Sequence, residues 1–182
     1  MKKLAALISL LLVTNSLLAR NAEEVTPLLI GSQTPKVTLQ DEKSMEHFLP
    51  AILQGKHSII VFYRGGWCPY CSVQMQELAE KESDLLALGY QIIGISPDTP
   101  DKITTIEKDG ELNYSLYSDS EFKAMEAFGI DFERKGKKSG KLPVPSVFIV
   151  TPDNKIAFSY VNPNYRERIP ADLLIAAAKS LK

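Results

Sequence analysis

The stretch Ser58-Ile59-Ile60-Val61-Phe62-Tyr63-Arg64-Gly65-Gly66-Trp67-Cys68-Pro69-Tyr70-Cys71 runs from an apolar, β-rich segment straight into a pair of cysteines. Ser58–Tyr63 reads as a strand covered on both faces, because its apolar run is unbroken rather than alternating. Met75, Leu78, Leu85 and Leu86 follow at helical spacing, and Gly89 ends the pattern. Cys68 and Cys71 therefore fall at a strand-to-helix junction. A helix start offers unpaired N–H groups and partial positive charge, which favour thiolate over thiol.

The chain has no other cysteine. Three roles fit such a pair: a structural disulfide, a metal site or a redox-active dithiol. A structural bridge stabilises mainly by closing a long loop, and this loop is very short. Zinc needs four ligands, and the two histidines, His47 and His57, have no ligand spacing. The redox reading needs nothing beyond the pair itself, so no metal and no cofactor are expected.

The N-terminus reads as a leader. Met1-Lys2-Lys3 is a short positive start, Leu4 to Val13 carries no charge, and Leu17-Leu18-Ala19 offers a cleavage point. Residues 1–19 thus have the pattern of a secretory signal peptide. The apolar run is short of the about 20 residues that a spanning helix needs; an uncleaved anchor is the alternative. The lysine-rich start fits bacterial export. The mature chain is expected in a periplasm or outside the cell, and away from the membrane once the leader is removed. The 163 residues that remain carry 19 basic and 22 acidic side chains, a formal charge of −3. That balance gives no global attraction for nucleic acid or anionic lipid.

Residues 20–35 form a polar lead-in with Pro27 and Pro35, and 36–182 form the domain proper. Val37–Leu39 reads as a short strand. Ser44 is placed as the cap of a helix that runs to Gln54 and stops at Gly55. Gln91–Ser96 is a second buried strand. Thr99 and Pro100 open a helix that stops at Gly110. Ser115–Tyr117 is a short strand, and Ser120 opens a helix that closes at Gly129. Val147–Val150 and Ile156–Tyr160 form a hairpin around Thr151–Lys155. Pro170 starts a last helix with Leu173, Leu174, Ala177 and Leu181 on one face. The βαβ opening implies parallel central strands, and the late hairpin adds antiparallel ones. The class is α/β, with a mixed central β-sheet flanked by helices on both faces, which is a thioredoxin-like fold.

Residues 30–180 resemble the thioredoxin superfamily, and more closely its peroxiredoxin-like branch (alkyl hydroperoxide reductase/thiol-specific antioxidant, AhpC/TSA). The resemblance is carried by Phe62–Cys71, Gly94-Ile95-Ser96-Pro97-Asp98, Leu116-Tyr117-Ser118-Asp119 and Phe128-Gly129-Ile130. Leu142-Pro143-Val144-Pro145-Ser146 and Tyr160–Arg166 add to it. Peroxiredoxins space a Pro, a Thr or Ser and the peroxide-attacking Cys as Pro-x-x-x-Thr-x-x-Cys. In that register the attacking cysteine is Cys71, the Thr position is Cys68 and the Pro position is Arg64. The Arg that peroxiredoxins place at the start of the late strand is Pro145 here. Thioredoxins have a cis-proline there, and Val144-Pro145-Ser146 is similar to that loop. The body thus resembles a peroxiredoxin and the site a thioredoxin.

The resemblance implies a thiol-dependent oxidoreductase that cycles Cys68 and Cys71 between dithiol and disulfide. Three readings follow. In disulfide exchange, exposed Cys68 attacks a protein disulfide and Cys71 resolves the mixed disulfide. Pro69 stiffens the turn, Trp67 covers one side of the pair, and a cis Pro145 presents the backbone of Val144 to the partner. In peroxide reduction, Cys71 attacks hydrogen peroxide or an organic hydroperoxide, Cys68 resolves, and an external thiol reductant resets the pair. Arg64 is then the nearest candidate to polarise the peroxide, with Arg166 and Arg168 more distant. In the third reading the fold is a non-catalytic redox-sensing or partner-binding module. Tyr63 and Tyr165 are candidate hydrogen-bond donors near the site. The basic run Arg134–Lys141 is a loop that could guide an acidic partner. Asp98, Asp101 and Glu107 need no function.

Overall fold

The computed structural model describes residues 20–110, 112–135 and 140–182, and for residues 107–110 the backbone alone. Residues 1–19, expected to form a leader, and the middle of the basic run, residues 136–139, lie outside the described residues.

After a short 3-10 turn at Ala22–Glu24, the chain forms β1 (Thr38–Gln40), β2 (Glu46–Phe48), α1 (Leu49–Leu53), β3 (His57–Phe62), α2 (Pro69–Glu80) and α3 (Glu82–Ala87). β4 (Tyr90–Ser96), α4 (Pro100–Gly110), β5 (Ser115–Ser118), α5 (Lys123–Ala127), β6 (Asp131–Arg134) and β7 (Gly140–Pro143) follow. The chain closes with β8 (Ser146–Val150), β9 (Ile156–Val161) and α6 (Ala171–Ser180). Seven strands make one sheet in the order β2-β1-β5-β4-β3-β8-β9. β3, β4 and β5 run parallel, whereas β8 is antiparallel to β3 and to β9. This is the mixed, helix-flanked, thioredoxin-like sheet that the sequence implies.

β3 sits at the centre and explains its own composition. Ile59, Val61 and Tyr63 face one layer with α2, α3, α4 and α6; Ile60 and Phe62 face the other with α1 and α5. On the second face Phe62, Phe128 and Phe148 pack with ring centroids 4.8, 5.0 and 6.1 Å apart. Burying each such ring is worth about 1.5–3 kcal/mol. β3 is therefore a rigid platform, and whatever follows Phe62 is held where the sheet ends.

Several elements differ from expectation. Ser44 caps no helix. It has φ 63° and sits in a turn where Asp41 accepts the N–H groups of Lys43 and Met45 at 2.9 Å each. That turn makes β1 and β2 a hairpin, and the helix begins only at Leu49. The helix after the cysteines breaks at Lys81, giving α2 and α3. Asp119, not Ser120, receives the α5 start: its carboxylate accepts the N–H groups of Ala124 and Met125 at 2.9 Å. The basic run is no simple loop, since Arg134 and Lys141 lie in the paired strands β6 and β7.

Candidate active site

Between Phe62 and α2 the backbone makes one tight turn. Gly65 has φ +134°, a region that side chains rarely adopt. A Cβ there would also lie 2.5 Å from Trp67 Nε1 and 3.0 Å from Asp98 Oδ1. The N–H of Cys68 donates to Gly65 O at 3.1 Å and closes the turn. Asp98 holds it from the side. Its Oδ2 accepts the Gly66 N–H at 2.8 Å and the Ser96 hydroxyl at 3.0 Å, and the residue is 6% exposed. β3 and β4 are parallel neighbours, so the end of β4 delivers this carboxylate to the loop after β3.

Cys68 is the N-cap of α2, Pro69 the first helical residue and Cys71 the third. The Cys68 carbonyl accepts the N–H groups of Cys71 and Ser72 at 2.9 and 3.1 Å. Both thiols are free, and both residues are buried. The Cys71 thiol donates to the Cys68 sulfur. That contact, with the charges of Arg64 and Arg168, pulls the Cys68 thiol down to about 6 against the opposing effect of burial. The same contact, then burial and the adjacent Cys68 charge, push the Cys71 thiol up. The contact therefore favours the thiolate on Cys68 and the thiol on Cys71.

Two arginines complete the site. Arg168, in the segment before α6, places Nη2 3.5 Å from Cys71 Sγ. Its Nη1 donates to the carbonyls of Glu167, at 3.0 Å, and Tyr165. Arg64 is 7% exposed. Its guanidinium lies 4.2 Å over the Tyr165 ring and 5.1 Å from the Trp67 ring. Its Nε has no partner among the described residues. Arg166 stays outside, donating to its neighbour Tyr165 Oη at 3.4 Å. Tyr63 is fully buried below the pair.

Three expectations need correction. The Val144–Pro145 bond is not cis; there is no cis peptide among the described residues. Nor is the backbone of Val144 free to receive a partner. Its N–H donates to Ile130 O at 2.7 Å and its carbonyl accepts the Ser146 hydroxyl at 2.7 Å. Val144 and Pro145 are buried connections between β7 and β8. Cys68, expected to be exposed, is buried, at 1% exposure; Trp67 beside it is 51% exposed, with the guanidinium groups of Arg64 and Arg134 5.1 and 5.0 Å from its ring. Asp98 is the residue that sequence reasoning missed. The signal was available, because a polar side chain at the carboxyl end of a strand beside β3 faces the same crevice.

The fold and the site together define a thioredoxin-fold protein with a reactive dithiol at a helix start. Residues 30–159 match the model of the AhpC/TSA family. The chain belongs to this family, and is a thiol-dependent oxidoreductase of the peroxiredoxin-like type. It is 31% identical to Peroxiredoxin Bcp of Escherichia coli over 134 residues, 72% of this chain and 85% of that protein. Its fold is similar to Peroxiredoxin Q of Xanthomonas campestris, with a TM-score of 0.72, 20% identity, and coverage of 85% of this chain and 98% of that one. It is similar also to reduced Prx3 of Vibrio vulnificus in complex with hydrogen peroxide. There the TM-score is 0.78 and the identity 16%, over 84% of this chain and 96% of that one.

Proposed function

We propose that this protein is an exported, periplasmic peroxidase that reduces hydrogen peroxide or an organic hydroperoxide with Cys68 and Cys71. One observation carries the reading: two free, buried cysteines stand one turn apart at the start of α2, with Arg168 Nη2 3.5 Å from Cys71 Sγ. The Cys68 thiolate attacks one peroxide oxygen, and the O–O bond breaks. Cys68 becomes a sulfenic acid, and the departing oxygen takes the proton of Cys71. Cys71, now a thiolate, attacks the sulfenic sulfur; the disulfide forms and hydroxide leaves to be protonated by solvent. Arg168 lies where it can stabilise negative charge on the leaving oxygen. An external thiol then reduces the disulfide by exchange. Both sulfurs are buried, at 1% and 0% exposure, which suits a small oxidant such as a peroxide.

A second order of events has its own support. The family register puts the attacking sulfur at Cys71, and Cys71 is the one that Arg168 touches. The two orders separate in stopped-flow oxidation of the reduced protein by hydrogen peroxide, read through Trp67 fluorescence. With Cys68 first, C71S retains the initial fast step and C68S loses it. The converse pattern assigns the attack to Cys71. Slow oxidation of the wild type, at the rate of an ordinary thiol, overturns peroxide reduction altogether.

A further inference from the structure

The cysteine pair is framed by an unbroken ladder of cations and rings. Arg134 lies 5.0 Å from the Trp67 ring, and Trp67 lies 5.1 Å from Arg64. Arg64 lies 4.2 Å from the Tyr165 ring, and Arg166 lies 5.6 Å from the same ring. Tyr70 meets Tyr165 edge to face at 5.8 Å. Trp67, Tyr70 and Val73 project into solvent on this side, at 51%, 41% and 54% exposure, with Tyr165 at 36%. Arg64, Arg166 and Arg168 form no ion pair among the described residues. Glu167, between Arg166 and Arg168 in the chain, is engaged by Asn162 and Asn164.

Exposed Trp, Tyr and Arg grouped around a reactive centre are the residue types that dominate binding at protein interfaces. Residues 20–182 carry a formal charge of −3. A positive face on a negative molecule selects its partner by sign. We infer that the Trp67–Tyr70–Tyr165 face, with its arginine rim, is the docking surface for a protein dithiol reductant whose exposed cysteine is bordered by carboxylates. This rests on the Cys68–Cys71 cycle proposed above. The partner's thiolate attacks Cys68 sulfur in the disulfide, and Cys71 leaves and takes a proton. The partner's second thiol then attacks the mixed disulfide, and Cys68 leaves as thiolate. Two electrons pass to the pair, and the partner is left oxidised.

The test uses the full chain oxidised with diamide, so the disulfide is in place whatever its natural oxidant. Two synthetic peptides carry the same Cys-Gly-Pro-Cys dithiol, one flanked by glutamates and one by lysines. Reduction is followed through Trp67 fluorescence, with neutral dithiothreitol as reference and peroxide oxidation of the reduced protein measured separately. At low salt the glutamate peptide reacts about 10-fold faster than the lysine peptide. The gap closes in high salt. R166E narrows it several-fold and leaves the dithiothreitol rate and the peroxide step unchanged. Equal rates for the two peptides, a faster lysine peptide, or a gap untouched by R166E overturns the docking surface. Failure of the peroxide step alone overturns the peroxidase reading and leaves the docking result standing.

Discussion

Arg168 Nη2 and Cys71 Sγ, 97 residues apart in the chain, lie 3.5 Å from each other. This contact ties the segment before α6 to the start of α2. It also sets a fixed positive charge beside the two sulfurs. Arg168→Met keeps the length of the side chain and removes the charge. The expected outcome is an about 100- to 1,000-fold slower oxidation by hydrogen peroxide, as for loss of one donor to developing charge. The Cys68 titration also moves upward, because the Arg168 charge helps to hold it down. Stopped-flow fluorescence and thiolate ultraviolet absorbance measure the two effects.

Reactivity should follow the ionisation of Cys68. Its pKa lies near 6, so the thiolate fraction, and with it the oxidation rate, rises as pH increases through that value and then levels off. The contact from the Cys71 thiol is the main cause. Cys71→Ala removes it, and the midpoint climbs towards that of a free thiol, about 8.5. Near pH 6 the variant's Cys68 is then mostly protonated and reacts more slowly, while in alkali the two proteins converge. A thiolate absorbance titration of both proteins decides it; an unmoved midpoint would refute that role for the contact.

Asp98 holds the turn that sets the height of Cys68. Asp98→Ala strands the Gly66 N–H and the Ser96 hydroxyl, a cost of about 1–3 kcal/mol for a buried group left unpaired. Because the turn loosens, oxidation by peroxide slows as well. Asp98→Asn keeps one acceptor oxygen and should fall between the two. Denaturant unfolding, run beside the peroxide assay, separates the loss of stability from the loss of rate.

Asp119 is a control of the opposite kind. It caps α5 on the face of the sheet away from the sulfurs. Asp119→Ala should cost about 1–2 kcal/mol by denaturant unfolding. The initial rate of peroxide oxidation under native conditions should not change.

The parts of the fold legible in the sequence are those in which local pattern and tertiary burial agree. Ile59–Phe62 is apolar throughout because helices cover both faces, and Ile92–Ile95 is free of polar side chains for the same reason. Thr151–Lys155 carries its own turn chemistry, and Asn154 has the positive φ of 62° that such a turn uses. Ser44 misled because its cap signal is identical to that of a turn residue, and only the Asp41 carboxylate decides between them. β6 and β7 were illegible because two four-residue strands, Asp131–Arg134 and Gly140–Pro143, are too short and too polar to show a periodic apolar face. At the site, Cys68, Cys71, Pro69 and Arg64 lie within one motif and were found together. Arg168, a more distant candidate in the sequence, and Asp98, which the sequence reading set aside, reach the same place from remote segments. Pro145 shows the reverse error, a familiar dipeptide whose surroundings are different: Ile130 takes the N–H group that a thioredoxin loop would leave open.

The occupied backbone of Val144 has a wider consequence. A protein that pairs strands with its clients can grip any peptide, since every peptide carries the same amides. This molecule has closed that route at Val144, which leaves size, sign of charge and ring stacking to distinguish one visitor from another.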